Sequence, residues 1–178
     1  MTVLSNIEMI LLSLINEKPA YAYEIEKMLV KRDMRRWIKI GVASVYQVLA
    51  RLEKKKLLIS RREKEGKMPE RKRYFITDEG KKQLEEAAKK MLSEIEWCYL
   101  DLNVGLECSD LLSEEEFQKC LRSRLHKVKV NIEILSQKKL EYRSDQGELT
   151  KARAIMKNLI LFRKAEQQFL EEFLKELN

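Results

Sequence analysis

The side chains best suited to chemistry in this 178-residue chain are cationic, and their spacing suits a polyanion better than a reacting carbonyl. Between residues 43 and 56, Val45, Val48, Leu49 and Leu52 recur at helical spacing, which turns Ser44, Gln47, Ala50, Arg51, Lys54 and Lys55 outward. On such a face Gln47 and Arg51 suit base edges, which both can grip through paired hydrogen bonds. Ser44 and Tyr46 suit phosphate near the start of the helix, with Lys54 adding charge further along. Two other readings stay open: a plain solvated face, and Tyr46 as a core aromatic whose hydroxyl reaches the surface. A second cationic set, Arg61, Arg62, Lys64, Lys67, Arg71, Lys72 and Arg73, suits contacts to a nucleic-acid backbone or minor groove. Charges of this kind also sit on edge strands simply to discourage sheet-to-sheet association.

Residues for catalysis are missing. The sequence has no nucleophile elbow, no phosphate-binding glycine loop and no metal-ligand cluster, so neither an enzyme nor a cofactor is expected. His126 is the one histidine and lies among Arg124, Lys127 and Lys129, where a solvated surface position is expected. Cys98, Cys108 and Cys120 are odd in number and irregular in spacing, which fits reduced, partly buried thiols, with a thiol switch as the alternative. No signal peptide or membrane span is read in the chain, and a cytoplasmic protein is expected.

The excess charge is localised. Residues 1–80 carry 18 basic and 11 acidic side chains, and residues 81–178 carry 18 of each, so the whole net charge of +7 belongs to the N-terminal part. A field concentrated in this way suits DNA, whose binding draws on counterion release.

The elements that must hold these residues can be read from caps and periodicity. Ser5 and Glu8 form a capping box, with Leu4 and Met9 at the staple positions, so a first helix starts there and ends near Pro19. A second helix runs from about Ala22 with Ile25, Met28 and Leu29 inward and stops near Asp33. A short basic connection follows, with Trp37 expected as a core anchor. After the cationic helix, Leu58–Arg62 and Arg71–Ile76 read as strands flanking a loop at 65–70. Three helices and a basic hairpin is the order of a winged helix, in which the third helix enters the major groove. Thr77 then caps a long helix expected to reach about Leu100, residues 101–112 break the pattern, and Ser113 with Glu116 starts another helix. That helix and a last one form a helical hairpin, separated near 144–147. Long, thin amphipathic helices leave apolar faces uncovered within one chain, so a homodimer formed through the C-terminal helices is expected. The fold class expected is mainly α with a small β-hairpin: a winged helix-turn-helix domain at 1–80, then a linker helix and dimerisation domain at 81–178.

Several stretches resemble a known family. Residues 19–25 (PAYAYEI) look like the second-helix signature of the PadR-type, phenolic-acid-responsive transcriptional regulators, with Ala22 in the position of a usual glycine. Residues 43–53 (ASVYQVLARLE) are similar to the recognition-helix pattern Ser-x-Tyr-x-x-Leu-x-x-Leu-Glu, with Gln47 where proline is frequent. Residues 69–80 (PERKRYFITDEG) look like the wing and its exit, Arg-Lys-x-Tyr followed by Thr-x-x-Gly, while Lys56 stands where glycine is common. The resemblance covers about the first 80 residues, and the remainder matches only in length and helical character. It implies a dimeric repressor, a double-stranded DNA operator and relief by a small molecule. Met91, Trp97, Tyr99 and Phe117 are candidates for lining an aromatic or lipophilic effector's pocket, with ordinary core packing as the alternative. A rival from another class is a winged helix used as a protein-interaction scaffold without a DNA target. Arg163 and Glu166 interrupt the last helix's apolar face, either pairing across a dimer or lying at its margin.

Overall fold

Helix α1 (Asn6–Glu17) starts as its capping box dictates. The Ser5 hydroxyl accepts from the Glu8 N–H at 3.4 Å, and the Glu8 carboxylate accepts from the Ser5 N–H at 2.9 Å. The computed structural model describes residues 3–64, 70–141 and 151–177, and two units, Met1–Trp97 and Cys98–Asn178, form within it. Residues 81–97 fall with the first unit, beyond the expected boundary at residue 80, because the helix after the wing packs on α1.

In the first unit α1 buries Leu11, Leu12, Leu14 and Ile15 and stops at Glu17, two residues before Pro19. The chain then makes a two-residue strand β1 (Ala20–Tyr21) before α2 (Ala22–Lys31), which buries Ile25 and Leu29. A 3₁₀ turn at Met34–Arg36 leads to α3 (Val42–Lys54), in which Val45, Val48, Leu49 and Leu52 are buried. Trp37 is half-buried and lies outside the core cluster, a correction to its expected anchoring role. Buried Ile40, with Met34 and Ile38, fixes that connection instead. Strands β2 (Leu58–Glu63) and β3 (Arg71–Ile76) pair antiparallel, and β1 adds to the far side of β3, so the expected hairpin is a three-stranded sheet in the order β1-β3-β2.

Helix α3 ends two residues before the expected Lys56, in a Schellman arrangement. The Leu57 N–H donates to the Leu52 carbonyl at 3.0 Å and the Lys56 N–H to that of Glu53 at 2.9 Å, with Leu52 and Leu57 both buried. The motif needs a left-handed residue, and Lys56 takes it at φ 59°. A side chain there costs about 1–2 kcal/mol, so Lys56→Gly is expected to stabilise the protein by about 0.5–1 kcal/mol once glycine's extra chain entropy is counted, read as a higher urea midpoint. An unchanged or lowered midpoint would deny the left-handed turn.

Helix α4 (Asp78–Ser93) is capped by Thr77, whose hydroxyl accepts from the Gly80 N–H at 3.0 Å. It stops at Ser93 and not near Leu100. The Ser93 hydroxyl donates back to the Lys89 and Lys90 carbonyls, and residues 95–100, including Ile95 and Trp97, are exposed and non-helical, so no packing rewards further turns.

The second unit contains α5 (Asp101–Glu107), a 3₁₀ turn at Ser109–Leu111, α6 (Glu114–Glu141) and α7 (Lys151–Glu176). Residues 101–112 were expected to be irregular, yet Leu102 and Leu106, one turn apart, pack on the hairpin's core and make a short helix worthwhile. That core is Leu121, Val128, Leu170 and Leu174 with Phe117 and Phe173 against it. Arg124 on α6 pairs with Glu166 on α7 at 2.6 Å, as does Arg163, so Glu166 is held within the chain. The expected break at 144–147 lies outside the described residues. Cys98, Cys108 and Cys120 are exposed and free, where partly buried thiols were expected; Cys120 falls beside the inward stripe of Phe117, Leu121 and Leu125. Ile134, Leu161, Phe162 and Phe169 also remain exposed on the long helices.

Candidate nucleic-acid interface

The outer face of α3 is built by what its inner face buries. With Val45, Val48, Leu49 and Leu52 in the core, Tyr46, Gln47, Ala50, Arg51 and Lys54 are exposed and Ser44 is half-buried. Tyr46 is 53% exposed, so of its two readings the structure selects the surface one. Among the described residues Arg51 and Lys54 have no ion pair or hydrogen-bond partner, which leaves two full charges available. The first turn of α3 carries no acidic residue and Gly41 offers no side-chain cap, so its open N–H groups add positive potential.

Two clamps hold this helix. Before it, the Arg35 guanidinium donates to the Ile40 carbonyl at 2.9 Å and pairs with Glu26 of α2 at 2.6 Å. After it, the Lys55 ammonium meets the buried Glu8 carboxylate at 2.7 Å, tying the end of α3 to the start of α1. Burial pushes the Glu8 carboxyl upward, but the hydrogen bonds from Lys55 and Ser5 outweigh it and hold the group below the usual carboxylate range.

The sheet sorts the second cationic set by register. The pairings Glu63↔Arg71, Arg61↔Arg73 and Ile59↔Phe75 put these side chains on one face, opposite buried Tyr74. Arg73 is built into that face: it pairs with Glu63 at 3.2 Å, donates to the Tyr21 hydroxyl at 3.1 Å and stacks over the Tyr21 ring. Arg71 lies over Tyr23, and Arg61 over Phe75. Lys72 pairs with Glu53 of α3 at 3.1 Å. Arg62 meets Glu70 at 3.2 Å with both partners well exposed, a geometry that contributes little and opens easily. Lys64 is exposed and without a partner among the described residues, and Lys67 lies outside them. Within these two sets, and among the described residues, the cations left without a carboxylate or ring partner are therefore Arg51 and Lys54 on α3 and Lys64 at the end of β2, whereas Arg73 and Lys72 are neutralised inside the fold.

Sequence reasoning missed Glu53. It accepts from the Ser60 hydroxyl and from Lys72, and the Ser60 bond, with Lys72 reinforcing it against burial, holds its carboxyl below the usual range. One carboxylate thus joins α3, β2 and β3, and its position directly after inward Leu52 was the available signal. Of the four residues expected around an effector, Met91 lines a cavity of the first unit, Trp97 and Tyr99 are almost fully exposed, and Phe117 packs edge-on against Phe173 in the helical hairpin.

Three helices, an exposed cationic third helix and a paired wing define a winged-helix protein. Residues 11–86 match the transcriptional regulator PadR-like family, so this segment carries a PadR-like domain. The solved structure of Bacillus subtilis PadR in complex with operator DNA is similar over 98% of this chain and 100% of its own, with a TM-score of 0.79 and 16% identity. The same B. subtilis protein in complex with p-coumaric acid matches over 96% and 98% of the two chains, with a TM-score of 0.74 and 18% identity. The PadR-like regulator BC1756 from Bacillus cereus is 22% identical over 96% of this chain and 95% of its own, with a TM-score of 0.61. At these identities the likeness establishes a shared fold along nearly the whole chain. No curated protein matches the sequence. Among the described residues, no helix is long and apolar enough to cross a membrane.

Proposed function

We propose that the protein is a sequence-specific DNA-binding regulator of transcription, a repressor acting as a homodimer in the cytoplasm, and released from its operator by a small molecule. The observation that carries this reading is the outer face of α3, where Arg51 and Lys54 are exposed and, among the described residues, unpaired beside Gln47 and Tyr46. Arg51 and Gln47 read base edges in the major groove; Ser44, Tyr46 and Lys54 take phosphates. Arg61, Arg62 and Lys64, together with Lys67, grip the flanking backbone from the wing. Arg71, Lys72 and Arg73 shape the wing more than they touch DNA, since aromatic rings and carboxylates of the fold already engage them. The apolar side chains left exposed on α6 and α7, Ile134, Leu161, Phe162 and Phe169 among them, support pairing with a second copy. Likeness to a regulator solved with operator DNA and with p-coumaric acid supports both the DNA partner and a small-molecule effector. The protein works by binding and not by catalysis.

Selection of bound fragments from genomic DNA tests the proposal. The native protein is expected to enrich a defined site, and Arg51→Glu to lose at least the roughly 1–3 kcal/mol of a base-reading interaction, with its thermal melt unchanged. If no fragment is enriched, and Arg51→Glu leaves recovery of protein partners from cells intact, the interaction-scaffold reading prevails.

A further inference from the structure

The wing is gripped on its two faces by different helices. On the outer face the Tyr21 hydroxyl donates to Glu63 at 2.8 Å and accepts from Arg73, while Arg71 lies over Tyr23, which fastens the sheet to the start of α2. On the inner face a single carboxylate does the fastening: Glu53 of α3 accepts from the Ser60 hydroxyl of β2 and, at 3.1 Å, from the Lys72 ammonium of β3. Along that face Leu58 and Tyr74 are buried and Arg62 is exposed, so Glu53 meets the wing where it leaves the core. By charge alone this is a poor place for a carboxylate in a DNA-binding protein. Glu53 lies between Arg51 and Lys54 in the chain, repels phosphate and neutralises Lys72. Its ion pair adds little to stability, because the Lys72 and Glu53 side chains are 46% and 31% exposed. What the carboxylate does supply is a joint with contact residues on both sides, Arg51 and Lys54 on α3 and Arg61 and Arg62 on β2.

We propose that Glu53 is a positioning residue for DNA binding: by drawing Ser60 and Lys72 together against the last turn of α3, it fixes the helix that enters the groove relative to the wing that lies on the flanking backbone, so that both engage one duplex. The inference deepens the DNA-binding reading above and rests on it. A wing placed beforehand need not be ordered in the act of binding, which strengthens the complex without a new contact. This effect opposes that of charge in sign. Charge alone makes removal of Glu53 strengthen DNA binding, since Lys72 is freed and a repulsion is lost, whereas positioning makes the same removal weaken it. The grip of Tyr21 and Tyr23 on the outer face keeps the wing folded and attached when Glu53 is changed, free only against α3.

Full-length Glu53→Ala and Glu53→Gln, titrated by fluorescence anisotropy on the selected fragment, test the sign. Alanine, which loses both bonds, is expected to weaken binding about tenfold, and glutamine, which still accepts from Ser60, by less. In hydroxyl-radical footprints Glu53→Ala should lose the flanking protection given by the wing and keep the central protection given by α3, a split that partial unfolding does not produce, since it lowers both together. A third measurement needs no DNA. Spin labels at Ala50→Cys on α3 and Glu70→Cys at the start of the third strand, with Cys98, Cys108 and Cys120 changed to serine, should show a broader distance distribution in Glu53→Ala than with Glu53 in place. Equal or tighter DNA binding by both variants overturns the proposal, and so does a uniform loss of central and flanking protection or an unaltered label distance. A native protein that selects DNA, with variants that bind it as well, sinks this inference and spares the regulator. A native protein that selects no DNA sinks the regulator and this inference with it, while a broadened label distance still assigns the wing's placement to Glu53.

Discussion

Raising salt from about 50 to 200 mM is expected to weaken binding to the selected DNA by ~10³–10⁵-fold, the loss that follows when ~6–10 neutralised phosphates have released their counterions. Each chain offers Arg51, Lys54, Arg61, Arg62 and Lys64 as exposed cations, and a pair of chains doubles that supply. The distribution of free charge makes the expectation residue-specific. Lys64→Ala should lower the slope of log affinity against log salt by about 1, the share of a single neutralised phosphate. Lys72→Ala should alter it far less, because Glu53 already neutralises that ammonium. A titration by fluorescence anisotropy reads all three slopes. Nearly salt-independent binding would mean that the cationic face is not what meets DNA.

The second large effect is structural. Gly80→Ala is expected to destabilise the first unit by about 3 kcal/mol, at the upper end of ordinary overpacking, and to carry DNA binding down with it. A methyl group there would stand 2.3 Å from the Leu57 carbonyl oxygen and 2.9 Å from Ile76 Cγ1. That carbonyl is pinned, accepting from the Thr77 N–H at 3.1 Å and from the Thr77 hydroxyl at 3.1 Å. The first turn of α4 therefore presses directly on the chain that joins α3 to the wing, and only glycine permits the approach. Urea unfolding followed by circular dichroism measures the change; an unaltered midpoint would show that α4 does not seat there.

That seam also shows what local sequence could reveal. Thr77 and Gly80 were legible as a helix start and as a wing-exit pattern, since capping is chemistry within a few residues. The reason for the glycine was not, because its neighbour is Leu57, more than twenty positions away. The face of α3 was readable from the period of Val45, Val48, Leu49 and Leu52, and the capping box at Ser5 from its spacing. Strand β1 escaped because two residues carry no period, and α4 was read too long because the end at Ser93 depends on the absence of packing for Ile95 and Trp97. Within the candidate site, sequence located the cations but could not sort them. Arg73 and Arg61 look alike in the chain, yet Arg73 is held by Tyr21, fifty-two positions earlier, and Arg61 rests on Phe75 across the strand pair. The cavity that Met91 lines escaped for the same reason, its two sides lying some eighty residues apart.

Hydroxyl-radical footprinting of the native protein on its selected fragment puts the central claim to the most direct test. Two chains each presenting α3 and a wing should protect two patches related by a two-fold axis, their centres about one helical turn of DNA apart or a small multiple of it, and Arg51→Glu should erase both together. A single unsymmetrical patch, or even protection along the whole fragment, would contradict the account.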